Sequence, residues 1–189
     1  MMIIYTDIVS GDELFSDACK VKDVNSILYE IDCEMIKIKE GADVDIGANA
    51  SKEEAEETLE DGEKIVNDVV HAHRLQPTSF DKKGFTVHFK TYMKALKAKH
   101  TTEGKAFDEA GIAASFKEIL GKFKDYEFYT GESMNVDGAI MLLNYRDDGT
   151  TPFFTVFKAG LKETKVGSRV VAIGASYKFV FQHVKGLRR

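Results

Sequence analysis

From Met1 to Ile38, short β-prone runs alternate with turn residues: MIIYTDIV, then SGDE, then ILYEID and MIKI. Such runs bounded by Gly, Asp and Ser predict three or four strands. From Glu40 to Asp61 bulky apolar side chains are few and charge is dense. This stretch cannot bury enough surface to offset its ordering entropy and is expected to be a mobile acidic loop. Ile65 to Leu75 (IVNDVVHAHRL) is rich in β-branched residues, which favours a strand over a short helix.

The period then lengthens. Thr78 and Asp81 make a capping box just after Pro77, so a helix is expected from about Phe80. Phe85, Phe89, Tyr92, Met93 and Leu96 follow as an apolar stripe at helical spacing, carrying the helix to about Lys99. His100 to Lys105 reads as a turn, and Phe107, Ala110, Phe116, Ile119, Leu120 and Phe123 mark a second helix, giving an antiparallel helical hairpin over residues 80–124. Glu127–Thr130, Ala139–Tyr145 and Phe153–Lys158 read as strands. Gly131 and Asp137–Gly138 supply the first turn, and Arg146–Gly149 the second. Strands, acidic loop, helical hairpin and strands again predict an α+β fold in which early and late strands share a sheet.

Composition narrows the class. The chain has 189 residues with 43% hydrophobic content, enough for one domain with a proper core. No run approaches the roughly 20 apolar residues that span a bilayer, and the opening MMIIYTDIVSGDE lacks a basic secretory leader, so a cytoplasmic protein with no membrane span is expected. Cys19 and Cys33 are accordingly expected to be reduced thiols. The net charge of −5 hides a segregation: ten acids face one base between Glu40 and Glu63, ten bases face five acids between Phe80 and Lys124, and Gly167 to Arg189 carries five bases and no acid.

Two blocks carry a family resemblance. FKDYEFYTGESMNVDGAIMLLNY, from Phe123 to Tyr145, resembles the second signature of the translationally controlled tumour protein family, and Ile46-Gly47-Ala48-Asn49-Ala50-Ser51 followed by acids resembles the first. Met2-Ile3-Ile4-Tyr5 and Asp12-Glu13-Leu14-Phe15-Ser16-Asp17 resemble its N-terminus, and the likeness extends to Val166. It implies a twisted β-tent with a projecting helical hairpin, a zinc-free relative of the Rab exchange-factor fold; this chain has no C-x-x-C pair to hold zinc. Residues 1–166 would be that domain, and 167–189 a basic extension outside the resemblance, without the family's usual terminal cysteine.

The resemblance implies a non-enzymatic, partly cytoskeleton-associated regulatory protein. Its expected partners are tubulin and microtubules, a Rheb-type small GTPase and the translation elongation machinery, with roles in growth control and stress survival. Glu13, beside Asp12, inherits the position proposed to contact the GTPase. As residues, the pair is a strand-to-turn junction with two carboxylates expected in solvent. Lys83, Lys90, Lys94 and Lys97 fall on one helix face; they read either as a solvated face or as a dock for an acidic surface, and tubulin is the partner the family implies for this hairpin. The acidic loop is a candidate for weak, diffuse calcium binding, without EF-hand spacing, and Ser51 and Thr58 are candidate phosphorylation positions.

Candidate catalytic chemistry is sparse. His71-x-His73 would share one face of a strand, but no nearby ligand completes a metal set, so ordinary histidines are expected. There is no Gly-rich phosphate loop, and specific nucleic-acid binding is not expected. The alternative function is a thiol-dependent oxidoreductase using Cys19 or Cys33, since cysteine-dependent methionine sulfoxide reductases share the tent-like architecture.

Overall fold

A computed structural model describes residues 2–39 and 63–167. Most of the acidic loop, with Ser51 and Thr58, and the basic extension beyond Gly167 lie outside the described residues. Five strands precede the loop: β1 (Met2–Asp7), β2 (Glu13–Ser16), β3 (Lys20–Val24), β4 (Leu28–Asp32) and β5 (Met35–Lys39). The extra strands relative to the expectation are β2, which lies between the expected turn and strand, and β3, whose sequence KVKDV carries only two apolar residues. Pairing with neighbours, not intrinsic pattern, makes them strands.

After the loop come β6 (Glu63–Asn67), α1 (Asp68–Ala72), β7 (Gln76–Thr78), α2 (Lys82–Glu103), α3 (Glu109–Gly121), β8 (Glu127–Thr130), β9 (Met141–Tyr145), β10 (Pro152–Phe157) and β11 (Leu161–Val166). The expected strand over Ile65 to Leu75 is thus correct only as far as Asn67. There the Asn67 side chain accepts from the N–H groups of Val69 and Val70 (3.0 and 3.1 Å), capping a helical turn. Similarly, α2 is capped by Asp81, which accepts from Gly84 N–H at 2.9 Å, while Thr78 belongs to β7 opposite Phe128. The helix also runs past Lys99 to Glu103. It ends where Gly104 adopts φ 65°, a left-handed conformation that costs glycine little, and its N–H bonds back to His100 and Thr101.

All pairings are antiparallel. The order is β11-β1-β2 in one sheet and β3-β4-β10-β9-β8-β7 in another, with β5 and β6 forming a two-stranded ribbon at the base of the acidic loop. Early and late strands do share sheets: β1 pairs with β11, and β4 with β10. The edge strand β7 contains Pro77, which has no N–H to offer a further strand.

Two clusters form the core. One joins the sheets through Tyr5, Leu14, Phe15, Tyr29, Ile31, Met141 and Phe154, with Tyr5 stacked on Phe15 at 4.4 Å. The other seats the helices on the six-stranded sheet through Phe85, Phe89, Ile112, Phe116, Phe128 and Phe157, where Phe89 stacks on Phe116 at 3.6 Å. The apolar stripe read from the sequence is the buried face of α2.

Candidate interaction surfaces and the thiol pair

Asp12 and Glu13 stand at the end of a loop built around Asp7. Although 1% exposed, Asp7 accepts from Val9 N–H, Ser10 N–H, Ala139 N–H and the Tyr92 hydroxyl at 3.2, 2.7, 3.0 and 2.9 Å. Its own N–H donates to the Asp12 carbonyl, and Gly11, at φ 84°, closes the turn by donating to the Asp7 carbonyl. A buried carboxylate with four donors is fully satisfied, so the loop is held in one shape. No hydrophobic period or motif in the sequence marks Asp7.

The two neighbouring acids then differ. Only Glu13 is exposed, whereas Asp12 is half-buried and accepts from the Ser133 hydroxyl at 2.6 Å, contrary to the expectation that both carboxylates face solvent. A Cβ on Gly131 would lie 2.4 Å from Asp12, so the β8–β9 loop needs glycine to pack here. That loop carries two exposed apolar side chains, Met134 (61%) and Val136 (74%), and Glu132, ion-paired to Arg74 at 2.7 Å. Glu13 also acts on His73, whose pKa burial lowers while the Glu13 and Asp68 carboxylates pull it back up.

On α2, Lys83, Lys90, Lys94 and Lys97 are all exposed and share a face with Val87 (64% exposed). The intervals from Lys83 through Val87 to Lys97 alternate between four and three residues, so the row runs straight along the helix. Lys97 is bound to Glu109 of α3 at 2.5 Å; Lys83, Lys90 and Lys94 have no ion-pair partner among the described residues. The opposite side of α2 is pinned to the tent: Tyr92 to Asp7, Lys99 to the Ile8 carbonyl, His88 to the Gly138 carbonyl (3.1 Å) and His100 to the Ala159 carbonyl (2.7 Å). Gly160 passes so close that a Cβ would lie 2.0 Å from the Tyr92 hydroxyl. Among the described residues no hydrogen bond or ion pair joins the lysine row to Glu13.

His71 and His73 sit in and just after α1, not on a strand, so the shared face that would have made them a metal pair does not form. Among the described residues no group of three or more His, Cys, Asp or Glu could hold a metal. An open groove of about 410 Å³ lies between β7–β8 and the turn at 123–126. Its charged lining residues are Lys124 and Glu127 beside Phe80, Phe123, Tyr126 and Tyr129, which supplies no nucleophile with a base.

Cys19 is half-buried and Cys33 is 2% exposed; both are free. Burial pushes the Cys19 thiol up, with Asp68 adding to it, and pushes Cys33 up to about 12, with the nearby Asn67 side chain opposing. A catalytic thiolate needs the opposite displacement. No described helix is long and apolar enough to cross a membrane.

Comparison with known proteins gives a single direction. The family profile for translationally controlled tumour protein matches residues 2–162. A homolog of that protein from Neurospora crassa is 56% identical over 172 residues, covering 87% of this chain and 100% of the relative. One from Schizosaccharomyces pombe is 50% identical over 167 residues, covering 87% and 99%. Among solved structures, the translationally controlled tumor-associated protein of Schizosaccharomyces pombe superposes with a TM-score of 0.68 at 48% identity, covering 87% of this chain and 99% of that one. The Caenorhabditis elegans protein does so with 0.57 at 29%, covering 87% and 98%.

Proposed function

This chain belongs to the translationally controlled tumour protein family, and from that premise we propose that it works by binding, as a non-enzymatic regulatory protein of the cytoplasm with two separate docking faces. The observation that carries the reading is the lysine row of α2. Three cations without an ion-pair partner among the described residues and an exposed valine stand on a helix whose other side is anchored by buried aromatics and four polar contacts. A rigid, one-signed row attracts an extended acidic surface with little ordering cost, and its pull weakens as salt shortens the screening length. The acidic surface of a microtubule is the partner this face fits, which would place part of the protein on the cytoskeleton.

Co-sedimentation with polymerised tubulin at physiological salt tests it. Wild type should pellet and Lys83→Glu/Lys90→Glu/Lys94→Glu should stay in the supernatant while keeping its circular dichroism. Equal pelleting of the two would overturn the assignment. Lys97 is left in place because its pair with Glu109 belongs to the helix–helix contact.

A second face carries Glu13, the acid of its pair left free of the Ser133 tether. It is assigned to a basic side chain of a Rheb-type small GTPase. One exposed ion pair contributes about 0–1 kcal/mol, so Glu13→Arg should weaken such binding severalfold and not abolish it. Contacts with the translation elongation machinery, roles in growth control and stress survival, and weak calcium binding by the 40–63 segment complete the reading on family grounds. The thiol oxidoreductase alternative is disfavoured by the upward displacement of both thiols.

A further inference from the structure

Cys19 and Cys33 flank the β3–β4 hairpin, and its register decides how they face. Lys20 lies opposite Asp32 and Val21 opposite Ile31, and Cys19 and Cys33 are the next residues outward, just past the last pair of the ladder; continued one step, the same register would bring them face to face. The Cys33 backbone is turned away from β3, because its N–H donates to the carbonyl of Pro152, the first residue of β10, at 3.0 Å. A residue in an antiparallel ladder that bonds to one neighbour presents a non-hydrogen-bonded position to the other, where facing Cα atoms approach to about 4.5 Å. That spacing falls within the range of about 4.4–6.8 Å that a disulfide spans.

The side chains share a face as well. Tyr29, Ile31 and Cys33 are buried in one core cluster, and Val21 of β3 and Cys19 just before it pack against that cluster. Asp68 raises the pKa of both thiols and Cys19 raises that of Cys33, as groups gathered at one place must.

We propose that Cys19 and Cys33 form an oxidisable dithiol site, closed by a hydroperoxide into an internal disulfide that staples the edge strand β3 to β4. The half-exposed Cys19 reacts first: its sulfur takes one peroxide oxygen, giving a sulfenic acid and releasing water from hydrogen peroxide. Cys33 then forms the sulfur–sulfur bond, and its proton leaves with the sulfenic hydroxyl as a second water. Two electrons pass from the two thiols to one peroxide, and a small dithiol reverses the step. Because burial holds both thiols protonated, closure is slow at neutral pH and quickens as pH rises. The reduced pair is the resting form. A closed loop of about 15 residues should raise the melting temperature by about 5–10 °C through the unfolded chain.

The test oxidises the full-length folded chain with hydrogen peroxide or diamide and reads intact mass, free thiols and melting. Expected are a monomer lighter by two hydrogen atoms, simultaneous loss of both thiols, a Cys19–Cys33 cross-linked peptide, a higher melting temperature and full reversal by dithiothreitol. Cys19→Ser and Cys33→Ala should each prevent the internal bridge. If Cys33→Ala fails to fold, the variant at the more accessible Cys19 still decides. The proposal is overturned if both thiols survive the oxidant in the folded chain. It is equally overturned if Cys19 goes on to sulfinic acid, or joins a second copy, while Cys33 stays free.

Discussion

Replacing Asp7 with alanine leaves four donors without their acceptor: the Tyr92 hydroxyl and the N–H groups of Val9, Ser10 and Ala139. They come from the β1–β2 loop, α2 and the approach to β9, so one carboxylate joins three parts of the fold. A hydrogen bond to a charged group contributes about 1.5–3 kcal/mol, and a simple sum over four would overshoot. The donors share one acceptor, the alanine chain recovers the cost of burying the charge, and some donors find water. The expected loss is about 3–5 kcal/mol, in the range for breaking a buried polar cluster. For a chain of this length that lowers the melting temperature by about 6–20 °C, a large share of an ordinary stability of about 5–15 kcal/mol.

Tyr92→Phe removes one donor and leaves Asp7 three partners, for which about 1–2 kcal/mol is expected. Urea unfolding followed by circular dichroism measures both, and the double variant gives the coupling; Asp7→Ala/Tyr92→Phe should cost clearly less than the sum. If Asp7→Ala costs under about 1 kcal/mol with an unchanged denaturant slope, the carboxylate is not the anchor that the geometry makes it.

Stability should also fall with acid through His88, which lies against Phe80 and Tyr92, donates from Nε2 to the Gly138 carbonyl and feels Asp137 and Asp7. Burial depresses its pKa below the unfolded value of about 6.5, so the unfolded chain binds more protons and stability, full above that pH, is lost as the pH falls toward the folded value. His73 acts in the same direction. Urea midpoints in a pH series should therefore show a shallower acid decline for His88→Gln than for wild type; identical slopes would remove His88 from the account. Gly160→Ala puts a Cβ 2.0 Å from the Tyr92 hydroxyl and should cost about 1–3 kcal/mol, partly relieved in Tyr92→Phe; no loss in thermal unfolding would show that the helix yields freely. Arg146 donates to Asp32 and Glu30 and lies 3.9 Å from the Phe153 ring centroid, so Arg146→Lys, which keeps the charge but not the planar fork, should cost about 1 kcal/mol by urea titration. An unchanged midpoint would show that the charge alone suffices.

What was legible in the chain is what repeats or punctuates locally. The spacing of Phe85, Phe89, Tyr92 and Leu96 marks the buried face of α2 because a helix returns to the same side every few residues, and the β8 and β10 runs together with the Arg146–Gly149 turn announce themselves in the same way. Where a segment's own preference is weak, the sequence misleads: Val69 and Val70 look like strand residues, yet the Asn67 side chain reaches forward and caps a helical turn there. The lysine row was visible because it shares the helical period, whereas Lys97 belongs to Glu109 only once α3 folds back.

By itself, then, the sequence determined the α+β class, the helical hairpin, the segregation of charge and, through its two signature blocks, the family. The tertiary structure alone decided that Asp7 is an anchor, that Asp12 is tethered while Glu13 is free, and that Cys19 and Cys33 meet in one core cluster at the end of the β3–β4 ladder. Local propensity and periodicity are properties of neighbours along the chain. Burial, hydrogen-bond satisfaction and cross-strand register arise between residues far apart in sequence, and become definite only when the sheets and the hairpin close on one another.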